Sequence, residues 1–101
     1  MSLMSYLRFV LSDEADRDAF EENLASMLGR ASSQTGYQWS EIGRDPWNDR
    51  KYVVVSEWDD VESVRAWERD AEHGAMMDRW EPHYGEEMVH RRFVPWVRPK
   101  K

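Results

Sequence analysis

The sequence contains no cysteine. Disulfides, thiolate metal centres and cysteine nucleophiles are therefore excluded. No apolar run is long enough to cross a bilayer, and no charged start leads into an apolar stretch of the kind that directs secretion. A cytoplasmic protein with no membrane partner is the expectation. Basic charge is also scarce. The 14 Lys and Arg against 20 Asp and Glu leave a net charge of −6. That argues against a nucleic-acid partner, whose binding would rest on basic surface. The locally basic Arg91-Arg92 and the tail Arg98-Pro99-Lys100-Lys101 read as solvated. Repeats, low-complexity segments and linkers are missing too. The 101 residues fit one domain, taken as 4–97. Met1-Ser2-Leu3, ahead of a second methionine, is set aside as a leader, and 98–101 as the basic tail.

Tryptophan, in contrast, is abundant. Six occur, at positions 39, 47, 58, 67, 80 and 96. Each buries a large area when covered, and each carries an N–H that needs a partner. So many in a small domain point to core and interface contacts, to an aromatic cavity, or to both.

The most informative stretch is Tyr52-Val53-Val54-Val55-Ser56-Glu57-Trp58 with the helical pattern behind it. A strand with one wet face alternates apolar and polar residues; a consecutive valine run implies cover on both faces. Around it, Leu7 to Leu11 reads as a first strand. A helix follows from Ser12-Asp13-Glu14, with Phe20, Leu24, Met27, Leu28 and Ala31 on one face. Tyr37 to Ile42 forms a second strand, and 43–50 a long hairpin loop. After the valine strand, a second helix starts near Asp59 or Asp60. Val61, Val64, Trp67 and Ala71 share its apolar side, Gly74 interrupts it and Pro82 stops it. Glu87 to Val94 forms a fourth strand.

The order strand, helix, strand, strand, helix, strand predicts an α+β fold of ferredoxin-like βαββαβ type. It has an antiparallel four-stranded sheet with both helices on one face. The first and third strands are expected to be central and parallel to each other. The other sheet face then needs cover for valines that cannot all point at the helices. Burying each is worth roughly 1.5–3 kcal/mol. A second copy stacked sheet to sheet supplies that cover, so a homodimer through the sheet faces is expected.

Asn48 to Trp58, the helix through Trp67 to His73, and the strand entry Gly36-Tyr37-Gln38-Trp39 resemble the antibiotic biosynthesis monooxygenase family of the dimeric α+β barrel superfamily. The likeness in layout runs from about Tyr6 to Phe93. It implies a cofactor-independent monooxygenase acting on a small aromatic, quinol- or polyketide-like substrate. The same fold also implies two alternatives, a non-catalytic small-ligand-binding or structural dimer and a haem-degrading monooxygenase. The pocket is expected between helices and sheet, with no metal and no cofactor unless haem is bound.

Within that resemblance Trp67 matches a pocket tryptophan and is a flat apolar wall or a core anchor. Tyr6, Tyr37 and Trp58 are candidate substrate-binding residues, and Tyr84 is another hydroxyl that could orient a polar oxygen. His73 and Arg8 are the candidate catalytic residues, as base and anion partner. Each has an alternative. On a straight helix His73 sits about 120° from Trp67 and faces water beside Arg69. It reaches the pocket only if the helix breaks before Gly74. Arg8 could instead pair with Glu57 or Glu41 across the sheet. The haem degraders of the family carry their histidine further past the tryptophan and an asparagine on the first strand, which Tyr6 to Leu11 lacks. His83, Glu86, Glu87 and His90 have no fixed metal-ligand spacing, and Met76 and Met77 are expected to pack beneath Trp80.

Overall fold

The computed structural model describes residues 1–98. The strands are β1 (Leu3–Val10), β2 (Tyr37–Asp45), β3 (Asn48–Trp58) and β4 (Val89–Phe93). The helices are α1 (Arg17–Ala31), α2 (Val61–Glu68) and α3 (Ala71–Trp80), and a 3₁₀ turn follows at Glu81–His83. The sheet order is β2-β3-β1-β4, the ferredoxin-like arrangement. β1 and β3 are central, as expected. They run antiparallel, however, not parallel, and so do the other two strand pairs. The cause is the β2–β3 hairpin, which reverses the chain after the crossover through α1.

Several boundaries differ from the sequence expectation. Leu3, set aside with the leader, is buried at the start of β1 and pairs with Trp58. The long loop at 43–50 is instead a tight turn at Pro46-Trp47. Asp45 and Asn48 already pair, and the Asp45 carboxylate accepts the backbone N–H of Trp47 and Asn48. α1 begins later than Ser12, because Asp16 is the residue whose carboxylate caps it, through the N–H of Ala19. β4 is confined to 89–93. Pro99, Lys100 and Lys101 of the basic tail lie outside the described residues.

The helices bury their apolar faces on one side of the sheet. One cluster joins Phe9, Phe20, Leu24, Tyr52, Val54, Met76 and Trp80; a second joins Leu3, Ala31, Trp58, Val64 and Trp67. Phe20 from α1 is fully enclosed in the first, with rings of Phe9, Tyr52, Trp80 and Tyr84 around it. Met76 packs with Trp80 here, as its spacing suggested, whereas Val61 and Ala71 are exposed. Gly36 takes a φ of +86° and lets β2 pass so close to α2 that a Cβ would lie 2.0 Å from Ser63 Oγ.

The valine run divides as its pleat requires. Val54 points into the helical layer and is buried, while Val53 and Val55 are only half-buried on the opposite face.

Candidate functional site

Between the two clusters the packing does not close. A cavity of ≈ 260 Å³ remains, bounded by the sheet below and by α1, α2 and α3 above. Small hydroxyl side chains on the sheet floor help to keep it open. Ser5, Ser40 and Ser56 line it from three neighbouring strands, between the larger Leu7, Phe9, Val54 and Trp58. Met27, Met76, Met77 and Met88 supply much of the opposite wall. Thioether chains are unbranched and polarizable, so this wall is deformable.

One wall is a stack of three rings. Trp58 and Trp67 have centroids 6.2 Å apart with an interplanar angle of 23°. Trp67 and His73 are 4.2 Å apart and 8° from parallel. The Trp58 indole N–H donates to Ser56 Oγ at 3.0 Å, which satisfies the one polar atom of a side chain only 1% exposed.

His73 reaches this stack because the helix ends earlier than its sequence suggested. α2 stops at Glu68 and α3 starts at Ala71, so the break falls at Arg69-Asp70 and Gly74 lies inside α3. The new helix direction turns His73 from the solvent side into the cavity wall. Its Nδ1 lies 3.0 Å from the Trp67 carbonyl oxygen. A carbonyl only accepts, so in the neutral ring Nδ1 carries the proton and Nε2 keeps its lone pair.

The cavity's polar edge includes Glu68 and His90. Burial first, and Arg92 next, hold the His90 pKa below its ordinary value, which favours the neutral ring. Arg92 pairs with Glu68, and its Nη1 is buried without a protein partner.

The other predicted residues are placed differently. Tyr37 stands behind the stack, edge-on to Trp58 at 5.5 Å, with its hydroxyl bonded to Ser40. Tyr6 and Arg8 do not join the cavity. β1 alternates, so Ser5, Leu7 and Phe9 line the cavity while Tyr6 and Arg8 point to the far face. Arg8 pairs there with Glu86 at 3.3 Å, not with Glu57 or Glu41. Glu57, also on the far face, is buried between the Trp39 indole N–H and Arg98. Tyr84 bridges to Leu11 in the first cluster, and burial pushes its hydroxyl up to about 12. Sequence reasoning missed Ser5, Ser56, Glu68 and the cavity role of His90. The two serines were legible from strand alternation once β1 and β3 were paired. Glu68 and His90 needed the true helix break and the register of β4. Among the described residues, no three His, Asp or Glu side chains gather closely enough to hold a metal ion, and no helix is long and apolar enough to cross a membrane.

The model of the family described as antibiotic biosynthesis monooxygenase matches residues 8–79, more than half of the sequence. The chain belongs to the antibiotic biosynthesis monooxygenase family. No curated protein sequence matches it. Among solved structures, it is similar to SnoaB, a cofactor-independent oxygenase from Streptomyces nogalater. That match has a TM-score of 0.85 and 16% identity, over 99% of this chain and 98% of that one. Rv0793 from Mycobacterium tuberculosis matches with a TM-score of 0.89 and 10% identity, over 99% of this chain and 100% of the other. A conserved protein from Methanosarcina mazei Go1 matches with a TM-score of 0.84 and 12% identity, over 92% and 91%. At such identities these structural likenesses establish the fold. The match to the family model, which ends inside α3 at residue 79, spans β1 from Arg8 through the ring stack.

Proposed function

We propose that this family member is a cofactor-independent monooxygenase whose substrate is a small, flat phenol or quinol held against the Trp58–Trp67–His73 stack. The observation that carries the reading is the placement of His73. Its ring lies flat on Trp67 and its Nδ1 is tied to a backbone carbonyl, inside a mostly apolar cavity. A histidine held in one tautomer beside an aromatic slot has the attributes of a general base for a phenolic proton. Membership of the family and the shared fold with SnoaB support the reaction class.

The chemistry closes without a further reagent. Nε2 of His73 removes the hydroxyl proton of a phenol with a free para carbon. The anion gives one electron to O₂, and the radical pair joins at that carbon to form a C–O–O⁻ group. The imidazolium returns its proton to make the hydroperoxide. Loss of water then breaks the O–O bond and the C–H bond on the same carbon, which leaves a quinone. One oxygen atom enters the product and the other leaves as water. The apolar walls shield the intermediate from solvent. Tyr6 and Arg8 have no part in these steps.

The test is aerobic incubation under ¹⁸O₂ with 1,5-dihydroxynaphthalene, in which the carbon para to each hydroxyl carries hydrogen. Oxygen uptake above the protein-free rate, with one labelled atom in the quinone, is expected. Binding without uptake would mean a non-catalytic ligand-binding protein. A Soret shift on haemin titration would point to haem chemistry instead.

The same reading pairs two copies through the far face of the sheet. Val53 and Val55 lie half-covered there, while Trp39 and Phe93 remain 39% and 55% exposed. Arg8 and Glu57 on that face already have partners, in Glu86 and Arg98, which lowers the cost of covering those two charges. Sedimentation at micromolar concentration is expected to give a particle of twice 12.1 kDa. A 12.1 kDa particle would overturn the pairing.

A further inference from the structure

Nothing in the residue types at 69–70 forces the helix to end. Trp67-Glu68-Arg69-Asp70-Ala71-Glu72 contains neither glycine nor proline, and Ala71 and Glu72 favour helix continuation. The chain nevertheless leaves the helix at Asp70, whose backbone is extended at φ −62°, ψ 126°. The geometry points to an Arg30–Asp70 clamp as the device that holds this break and so aims His73 into the cavity.

Asp70 has two tasks. Its carboxylate accepts the backbone N–H of His73 at 3.0 Å, which caps α3. The same carboxylate receives two bonds from Arg30, from Nε and Nη2, both at 2.8 Å. Such a two-pronged pair fixes direction as well as distance. Arg30 lies in the last turn of α1 and also reaches Glu72 at 3.1 Å. The end of α1 is thereby tied to the first turn of α3. The Arg30 bonds, followed by the His73 N–H, pull the Asp70 carboxyl down to about 2, so the clamp stays charged at working pH.

The alternative conformation is defined by helix geometry. If α2 ran on through Asp70, His73 would stand about 120° around the axis from Trp67. It could then neither stack on that ring at 4.2 Å nor reach the Trp67 carbonyl. Arg30 and Asp70 are therefore positioning residues. They act through His73 and line no part of the cavity. Their effect on turnover rests on the reading of His73 as the base; their effect on its orientation does not.

The experiment compares the wild type with Arg30→Ala, Asp70→Ala and Asp70→Asn, first without substrate. Long-range ¹H–¹⁵N spectra report the His73 tautomer, and the ring current of Trp67 shifts the His73 ring protons upfield. The wild type is expected to show an Nδ1–H ring with shifted protons. Both alanine variants are expected to lose these signatures while far-UV helicity is kept or rises. Asp70→Asn, whose one amide oxygen can still accept the His73 N–H and the Arg30 Nε but leaves Arg30 Nη2 without its acceptor, is expected to restore them only in part. In oxygen uptake the alanine variants should lose about 10²-fold in kcat, as expected for a misplaced catalytic group, with KM little changed. Signatures present in the wild type and lost in both alanine variants, with no oxygen uptake by the wild type, would uphold the clamp and sink only the assigned reaction. His73 signatures unchanged in both alanine variants would overturn the clamp, as would a fall in turnover with His73 still stacked. Should either alanine variant unfold, Arg30→Lys decides. It keeps one charge–charge contact but not the fork, and full retention of the wild-type signatures with it contradicts the proposal.

Discussion

Replacement of His73 by phenylalanine is expected to lower kcat/KM for oxygen uptake by about 10²–10⁴-fold, the contribution of a positioned general base. The substitution isolates the chemistry from the packing. Phenylalanine keeps a flat ring beside Trp67, where the imidazole centroid lies 4.2 Å away. What disappears is the Nε2 lone pair and the Nδ1 bond to the Trp67 carbonyl. That carbonyl still accepts the backbone N–H of Asp70 at 3.1 Å, so no buried acceptor is orphaned. The melting temperature should therefore change little while turnover falls. Oxygen uptake at the wild-type rate in this variant would remove His73 from the reaction.

The second large effect concerns stability. Phe20→Ala should cost roughly 3–5 kcal/mol, a substantial part of the 5–15 kcal/mol typical of a domain (about one-third or more at the midpoint). Phe20 is 0% exposed. Its ring centroid lies 5.1 Å from Trp80, 5.2 Å from Tyr52, 5.8 Å from Phe9 and 6.5 Å from Tyr84. These partners come from β1, β3, α3 and the segment before β4. The void left by alanine is therefore walled by four elements that cannot collapse together. A thermal melt followed by circular dichroism should shift down by more than about 12 °C. A shift under about 5 °C would mean that the cluster repacks and that Phe20 is not its keystone.

Much of the fold could be read from the residues. The valine run identified a central strand, and the apolar spacing of Phe20, Leu24 and Ala31 gave the buried face of α1. Hairpin and helix limits were less legible, because they depend on single side chains. Asp45 folds back on two backbone N–H groups and tightens a turn that composition alone made a long loop. Asp16, not Ser12, captures the cap of α1.

The candidate site shows the same division. Trp67 and Trp58 were legible because large aromatic side chains on an apolar helix face and a central strand have few other places to go. His73 was ambiguous by helix geometry alone. Its position turns on the Arg30–Asp70 pair, whose members are 40 residues apart. Arg8 was misleading. An arginine amid apolar neighbours suggests a buried functional charge, yet strand alternation sends it to the far face, where Glu86 meets it. Ser5 and Ser56 drew no attention because small residues matter here for the space they leave.

The central claim is that a flat aromatic ligand lies in the cavity on the ring stack. Chemical-shift mapping on ¹⁵N- and methyl-labelled protein, titrated with 1,4-dimethoxynaphthalene as an analogue without an acidic proton, tests it most directly. The indole signals of Trp58 and Trp67, the His73 ring and the methyls of Met27, Met76, Met77 and Met88 should shift together and saturate. Shifts confined to the exposed Trp47 and Trp96, or none at millimolar ligand, would contradict the account.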